Sequence, residues 1–287
     1  MNCAKSVVPV SVVIPCYRCA PTLQRAVESV LAQSVLPEQV ILVDDASADG
    51  TAELLECIAS QLDPARIEVV KLPTNRGPSG ARNAGWQMAR NRFVAFLDAD
   101  DTWHPNKLER QFAYMHGHPE IWLSGHGHIV RRNGQSWAPI LESIAWCRVT
   151  LASLLLKNRF ITPSVMIRRD LPLRFDESRR YMEDHLLWMQ VAADGLQVAK
   201  SDAPLAAVHK AGFGESGLSS HLMAMSRADL SNYWILRRQS RITTFQALIL
   251  SVWSVAKFAR RMLYVLFMRL SLIAAGRHAS EPGEEMR

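Results

Sequence analysis

Four apolar runs mark the first hundred residues, and a stretch with helical spacing separates each from the next. Residues 7–14 are rich in β-branched side chains and close on Pro15, the mark of a strand. Leu23, Ala26, Val27, Val30 and Leu31 then share one face of a helix over 22–33. A second strand over 39–43 runs into Asp44-Asp45, and Asp49-Gly50 turns the chain. Leu54, Leu55 and Ile58 stripe a helix over 51–62, and 67–72 is a third strand. A polar loop over 73–80 leads to a helix from 81 to about 90, and 93–97 is a fourth strand, apolar on both faces. Alternation with short links predicts an α/β domain with a mostly parallel, doubly wound sheet flanked by helices. In such a sheet the carboxyl ends of the strands form the edge that holds nucleotides.

Past Trp103 the pattern loosens. It predicts a helix over 105–115, strands over 121–130 and 161–167, and a helix opening at Glu183-Asp184 whose apolar face carries Leu186, Leu187, Met189, Val191 and Ala192. Residues 209–220 are Gly-rich without periodicity, which suits a loop that closes with glycine hinges; an ordinary polar loop is the alternative. From 242 to 275 the chain is apolar but studded with base, and Phe245, Leu248, Ile249, Val252 and Ala256 make one helical stripe. Its longest uncharged run, 242–256, is shorter than the ~20 residues that span a bilayer.

Charge sharpens that division. Of the net +6, residues 227–287 supply all, with ten Lys/Arg against four Asp/Glu. The expected organisation is an α/β body over 1–226 (halves 7–103 and 104–226) and a basic, apolar helical tail over 227–287. The tail predicts an amphipathic helix lying on an anionic membrane surface, with a helical pair in a homodimer as the alternative. Its bulky aliphatics argue against nucleic acid as partner. At 287 residues, 48% hydrophobic and 21% charged, the chain is neither disordered nor built as a multi-span membrane protein. Five scattered cysteines suit reduced thiols, and the N-terminus lacks the apolar stretch of a secretory signal. The expected location is peripheral, on the cytoplasmic side of the plasma (inner) membrane.

The candidate chemistry begins with Asp98, Asp100 and Asp101, which follow the fourth strand directly. Crowded carboxylates need a positive charge between them, and a hard divalent cation supplies it while bridging to phosphate. A polar turn capping the next helix is the competing reading. Gly77, Gly80 and Gly85 do not have the spacing of a phosphate-binding loop. His126 and His128 would share a strand face by period two, yet nothing pairs with them at a structural zinc spacing. Cys16-Tyr-Arg-Cys19 resembles half a zinc knuckle without its second half, so both thiols are expected to pack near the end of the first strand.

Five stretches in register carry a resemblance. They are Val10-Ser-Val-Val-Ile-Pro-Cys-Tyr17, Val43-Asp-Asp-Ala-Ser-Ala-Asp-Gly-Thr51, Asn75-Arg-Gly with Ala81-Arg-Asn-Ala-Gly85, Phe96-Leu-Asp-Ala-Asp-Asp-Thr-Trp103, and Glu183-Asp-His-Leu-Leu-Trp188 followed by His209. Together they resemble an inverting family 2 glycosyltransferase of the GT-A fold, of the bacterial surface-polysaccharide type. The resemblance implies a hexosyltransferase that moves one sugar from a nucleotide sugar, UDP-linked, to a glycan or lipid-linked glycan acceptor. It implies donor contacts from Pro15, Tyr17, Asp45, Arg76, Arg82, Asp98 and Asp100, with Asp45 reading the base. It also implies Mg²⁺ or Mn²⁺ on Asp100 and Asp101, the family's DxD motif, with His209 near the metal or diphosphate.

Asp184 would be the general base, with Glu183 as second choice. For Asp45 and Asp184 the alternatives are helix-capping roles, and for Arg82 a solvated helix face. Relatives usually carry Asn where Arg18 stands and Arg where Gln190 stands; Arg18 could alter base recognition, which leaves UDP against dTDP or GDP open. The processive signature Gln-x-x-Arg-Trp is missing, which favours addition of a single sugar. A nucleotidyltransferase and a non-catalytic membrane-bound scaffold are the rival classes. The first lacks a basic Gly-rich activation loop, and the second would have no need of these acids.

Overall fold

The computed structural model describes residues 5–131, 137–138, 144–209 and 218–278. In chain order the first half is β1 (Val7–Cys16), α1 (Ala20–Leu31), β2 (Leu36–Asp44), α2 (Thr51–Ser60), β3 (Ile67–Lys71), α3 (Gly77–Met88) and β4 (Phe93–Phe96). The second half is β5 (Thr102–Trp103), α4 (Lys107–Gly117), β6 (Ile121–Val130), β7 (Cys147–Val149), α5 (Leu151–Leu156), a 3₁₀ turn (Thr162–Ser164), β8 (Met166–Arg168), α6 (Glu183–Ala193) and β9 (Gln197–Val208). Two helices follow, α7 (Leu218–Arg238) and α8 (Thr244–His278).

The first four strands lie parallel in the order β3-β2-β1-β4, so the α/β reading holds. Their registers pair Cys16 with Asp44 and Val13 with Phe96, which brings the polar residues after β1, β2 and β4 to one edge. Beyond β4 the sheet becomes mixed: β8 is antiparallel to β4 and to β6, β9 is parallel to β6, and β5 and β7 are antiparallel to β9. Both faces of the sheet are covered, so Val10, Val12, Val13 and Ile14 and all of β4 are buried. An aromatic chain runs from α3 to α6: Trp86 meets Phe96 at 5.8 Å, Phe96 meets Phe175 at 5.3 Å, and Phe175 meets Trp188 at 5.8 Å.

Several expected elements shift. Helix α3 begins at Gly77 rather than 81, because Pro78 suits a first turn that needs no N–H from it. The strand expected over 161–167 is a 3₁₀ turn followed by a short strand, with Pro163 inside the turn. His126 is buried and His128 exposed, and pairing with β9 slips on both sides of Gly127 through extra residues in β9. Strands β5, β7 and β9 were not foreseen.

At Gly85 α3 packs directly against the sheet. A Cβ there would stand 2.4 Å from Val13 Cγ1 and 3.0 Å from Val43 Cγ2.

The chain divides into two compact units, Met1–Glu215 and Ser216–Arg287. Helix α7 therefore runs through position 226, where the charge pattern suggested a boundary. Most of the loop expected over 209–220 lies outside the described residues. Within the second unit α8 is two-sided. Ala247, Leu250 and Ser254 are buried, and Ser254 Oγ and Lys257 Nζ donate to Asp229 Oδ2 at 2.8 and 3.1 Å. On the opposite side of α8, Phe245, Val252 and Leu263 are 71%, 72% and 67% exposed. Among the described residues, no helix is long and apolar enough to cross a membrane.

Candidate active site

A cleft of about 700 Å³ opens at the carboxyl edge of β1, β2 and β4. Its walls are the 15–19 turn after β1, Asp45 after β2, the start of α3, the Asp98–Asp100 turn after β4, and Arg180-Tyr181 ahead of α6. Of the residues expected to bind donor, Pro15, Tyr17, Asp45, Arg82, Asp98 and Asp100 line this cleft. Arg76, Asp101, Asp184 and His209 stand outside its lining.

Asp45 is buried, and its Oδ1 accepts the Arg76 backbone N–H at 2.7 Å. Burial pushes its carboxyl above the usual range and the charge of Asp44 adds to this, while the Arg76 N–H pulls it back. The capping alternative for α2 falls to Asp49 instead, whose Oδ1 accepts from Thr51 Oγ1 at 2.7 Å and Thr51 N at 3.3 Å. The Arg76 guanidinium is turned away, donating through Nε and Nη2 to Glu177 at 3.1 and 2.7 Å.

Arg82 is buried, which overturns the solvated-face alternative. Its Nη2 donates to Asp98 Oδ1 at 2.8 Å and its Nη1 to Glu183 Oε1 at 3.1 Å. Burial works against its charge, but Asp98 and Glu183 outweigh burial and hold the proton firmly. The Glu183 carboxyl is pushed up by burial and by the charge of Asp184, and Arg82 draws it partly back. Asp184 opens α6 beside it; its Oδ1 accepts the His185 N–H, and Asn158 Nδ2 reaches its Oδ2 at 3.4 Å. Arg82 thus joins the acidic turn after β4 to the first turn of α6. Gln190 is buried further along the same helix.

Arg18, Ala46 and Met182 hold left-handed backbone, with φ of 49°, 57° and 56°. Arg18 lines the cleft, while Ala46 follows the lining residue Asp45 and Met182 follows the lining residue Tyr181, so each left-handed corner is in or next to the cleft wall. Asn adopts this conformation more readily than Arg, so the Asn that the resemblance leads one to expect here would suit the turn better.

For a divalent cation the residues form a partial set. Among the described residues no three His, Cys, Asp or Glu side chains are gathered into a cage. Asp100 is exposed on the cleft, and Asp101 Oδ1 accepts the His209 N–H at 3.4 Å. His209 Nε2 meets Thr102 Oγ1 at 2.8 Å, while its Nδ1 is buried with no hydrogen-bond partner among the described residues. Burial, with Arg25 and Arg131, holds that imidazole below its usual range, in the neutral form that ligates metal. One or two carboxylates with substrate phosphate is what Mg²⁺ takes, so the set fits.

Arg18, singled out for its bearing on base recognition, lines the cleft, whereas Arg180 and Tyr181 were missed as cleft residues. The Arg179-Arg180 pair just ahead of Glu183-Asp184 was the available signal.

The family model described as Glycosyl transferase family 2 matches residues 11–174, more than half of the chain. The succinoglycan biosynthesis protein ExoO of Rhizobium meliloti (strain 1021) is 34% identical over 65% of this chain and 56% of its own length. The Escherichia coli UDP-Glc:alpha-D-GlcNAc-diphosphoundecaprenol beta-1,3-glucosyltransferase WfgD is 30% identical over 64% of this chain and 70% of its own. The chain thus spans less than two thirds of ExoO. Among solved structures, S. aureus TarS 1-349 in complex with UDP aligns with TM-score 0.57 and 21% identity, over 79% of this chain and 65% of that one. The mannosyltransferase PcManGT from Pyrobaculum calidifontis, in complex with GDP-Man and Mn²⁺, aligns with TM-score 0.64 and 16% identity, over 95% and 80%. These likenesses give the fold, and it is the GT-A fold.

Proposed function

The chain belongs to glycosyl transferase family 2, and on that premise we propose that it moves one sugar from a UDP-sugar to a hydroxyl of a glycan or lipid-linked glycan acceptor in surface-polysaccharide assembly. The observation that carries this reading is the Arg82 bridge, which ties cleft residue Asp98 to the helix start bearing Asp184. Asp45 accepts an N–H of the nucleotide base. Asp184 takes the acceptor hydroxyl's proton as its oxygen attacks the anomeric carbon from the side opposite the diphosphate, inverting that centre. Asp100, with Asp101 and His209 beside it, would hold Mg²⁺ or Mn²⁺, and that cation would offset the negative charge on the departing diphosphate. The names of two relatives support the chemistry: WfgD uses UDP-Glc with a diphosphoundecaprenol acceptor, and TarS was captured with UDP-GlcNAc. The exposed apolar side of α8 supports a place on the cytoplasmic face of an anionic membrane.

The test is binding and hydrolysis of UDP-, dTDP- and GDP-sugars by purified protein, with Mn²⁺ and with chelator. UDP-sugar binding that needs metal and weakens in Asp100→Ala is expected. Folded protein that binds none of them would favour the non-catalytic scaffold.

A further inference from the structure

A second cavity, of about 650 Å³, opens in the other half of the domain, between β6, β7, β9 and α5. The sheet fixes where it lies. Strand β8 is antiparallel to both β4 and β6, so β6 runs the same way as β4 and ends at the edge that holds the donor cleft. Ile129, near that end of β6, lines the cavity with Pro204, which pairs with Gly127 from β9. Three residues past Pro204, Ala207 pairs with Thr102, which directly follows the acids after β4. Elsewhere in the lining, Arg159 directly follows Asn158, whose Nδ2 reaches Asp184 Oδ2 at 3.4 Å. Short runs of chain therefore tie the cavity both to the acidic turn and to the proposed base.

Two kinds of side chain meet in the lining. Ile129, Trp137, Ile144, Val149 and Pro204 are apolar, and Arg148, Arg159 and Lys200 are cationic. Lys200 is paired with Asp202, the one acid of the described lining. Arg148 and Arg159 are exposed, and among the described residues neither guanidinium has an ion pair or a hydrogen bond. A bare glycan calls for amides and carboxylates, and the described lining offers no amide side chain. Guanidiniums grip phosphate oxygens two at a time, and the hydrocarbon wall suits an aliphatic chain. Resting on the acceptor reading above, we propose that this cavity is an acceptor subsite for a prenyl diphosphate. Arg148 and Arg159 hold the diphosphate, the apolar wall takes the first isoprenoid units, and the sugar carried on the diphosphate reaches Asp184. A cavity of this size encloses only the head of a long lipid, so the rest of the chain stays outside. The subsite selects a lipid-linked acceptor over the same glycan free in water.

The probe is farnesyl diphosphate, titrated into the full chain by calorimetry with chelator present, so that no cation gathers a diphosphate at Asp100 and Asp101. Inorganic pyrophosphate and farnesol, titrated separately, test the two halves of the ligand. Farnesyl diphosphate is expected to bind at least about tenfold more tightly than either half. Arg148→Ala and Arg159→Ala should each weaken it about tenfold, with the melting temperature and the UDP affinity in Mn²⁺ unchanged. Arg148→Lys and Arg159→Lys keep the charge without the fork and should fall in between. Pyrophosphate or farnesol bound as tightly as farnesyl diphosphate overturns the proposal. So does farnesyl diphosphate binding that both alanine variants leave unchanged. Farnesyl diphosphate bound by a chain that binds no UDP sinks the donor-site reading and leaves the subsite standing. UDP bound by a chain that ignores farnesyl diphosphate keeps the donor site and overturns the subsite.

Discussion

Arg82 and Glu183 stand 101 positions apart in the chain and 3.1 Å apart in the fold, and Asp98 closes on the same guanidinium at 2.8 Å. A buried cation with a carboxylate on each side fixes the acidic turn after β4 against the first turn of α6. Removing it leaves two carboxylates facing each other in a poorly solvated place. Arg82→Ala is expected to lose about 3–5 kcal/mol of stability, read by chemical denaturation. Arg82→Lys keeps the charge but not the two-pronged geometry, so it should fold and still transfer poorly. A wild-type melting curve for Arg82→Ala would refute the bridge.

Asp184 and Glu183 are adjacent, and the structure gives them different work. Glu183 is committed to Arg82, whereas Asp184 is held by Asn158 and its own helix start. Asp184→Asn should lower kcat about 10²–10⁴-fold with donor affinity retained. Glu183→Gln keeps the shape of the pair and should cost less in kcat than Asp184→Asn. The reverse ranking would make Glu183 the base.

Asp45 is a carboxylate whose folded proton affinity exceeds its unfolded one. Its contribution to stability is therefore complete below the unfolded value and is lost as pH rises through the folded value, so at neutral pH it costs stability. Asp45→Asn should melt no lower than wild type at pH 7, and the gap in its favour should vanish on acidification. The same substitution should weaken nucleotide binding. A lower melting temperature at pH 7 would show that Asp45 serves the fold instead.

For α8 the measurement is flotation with vesicles. Val252 and Leu263, both exposed, stand on one side of the helix, and burying each in lipid is worth about 1.5–3 kcal/mol. Val252→Glu with Leu263→Glu should abolish flotation with vesicles rich in anionic lipid and leave nucleotide binding unchanged. Flotation unchanged by the pair, or a dimer that the pair dissociates, would assign that side of α8 to a second copy of the chain.

Much of this architecture was legible because strands buried on both faces, such as Phe93–Phe96, announce themselves as continuous apolar runs. The polar ends of β1, β2 and β4 follow from the same pattern, which is why six expected donor contacts share one cleft. What stayed hidden depends on distant partners. Nothing local to Arg76 reveals that Glu177 would capture its side chain while its backbone N–H holds Asp45. Arg82 looked like any cation on a helix until Asp98 and Glu183 arrived from either side of it. Short strands such as β5 and β7 lack the length for a period to show, and β9 carries Lys200, Ser201 and Asp202 inside its run.

The tight seat of Gly85 turns one position on α3 into a common control for two separate tasks. The start of α3 clamps Asp45 through Arg76, and one turn ahead of Gly85 the helix offers Arg82 to Asp98 and Glu183. A methyl at 85 drives against Val13 and Val43 in the sheet, so the helix must lift as a body. On the roles proposed for Asp45 and Asp184, base selection and proton removal would then be detuned together.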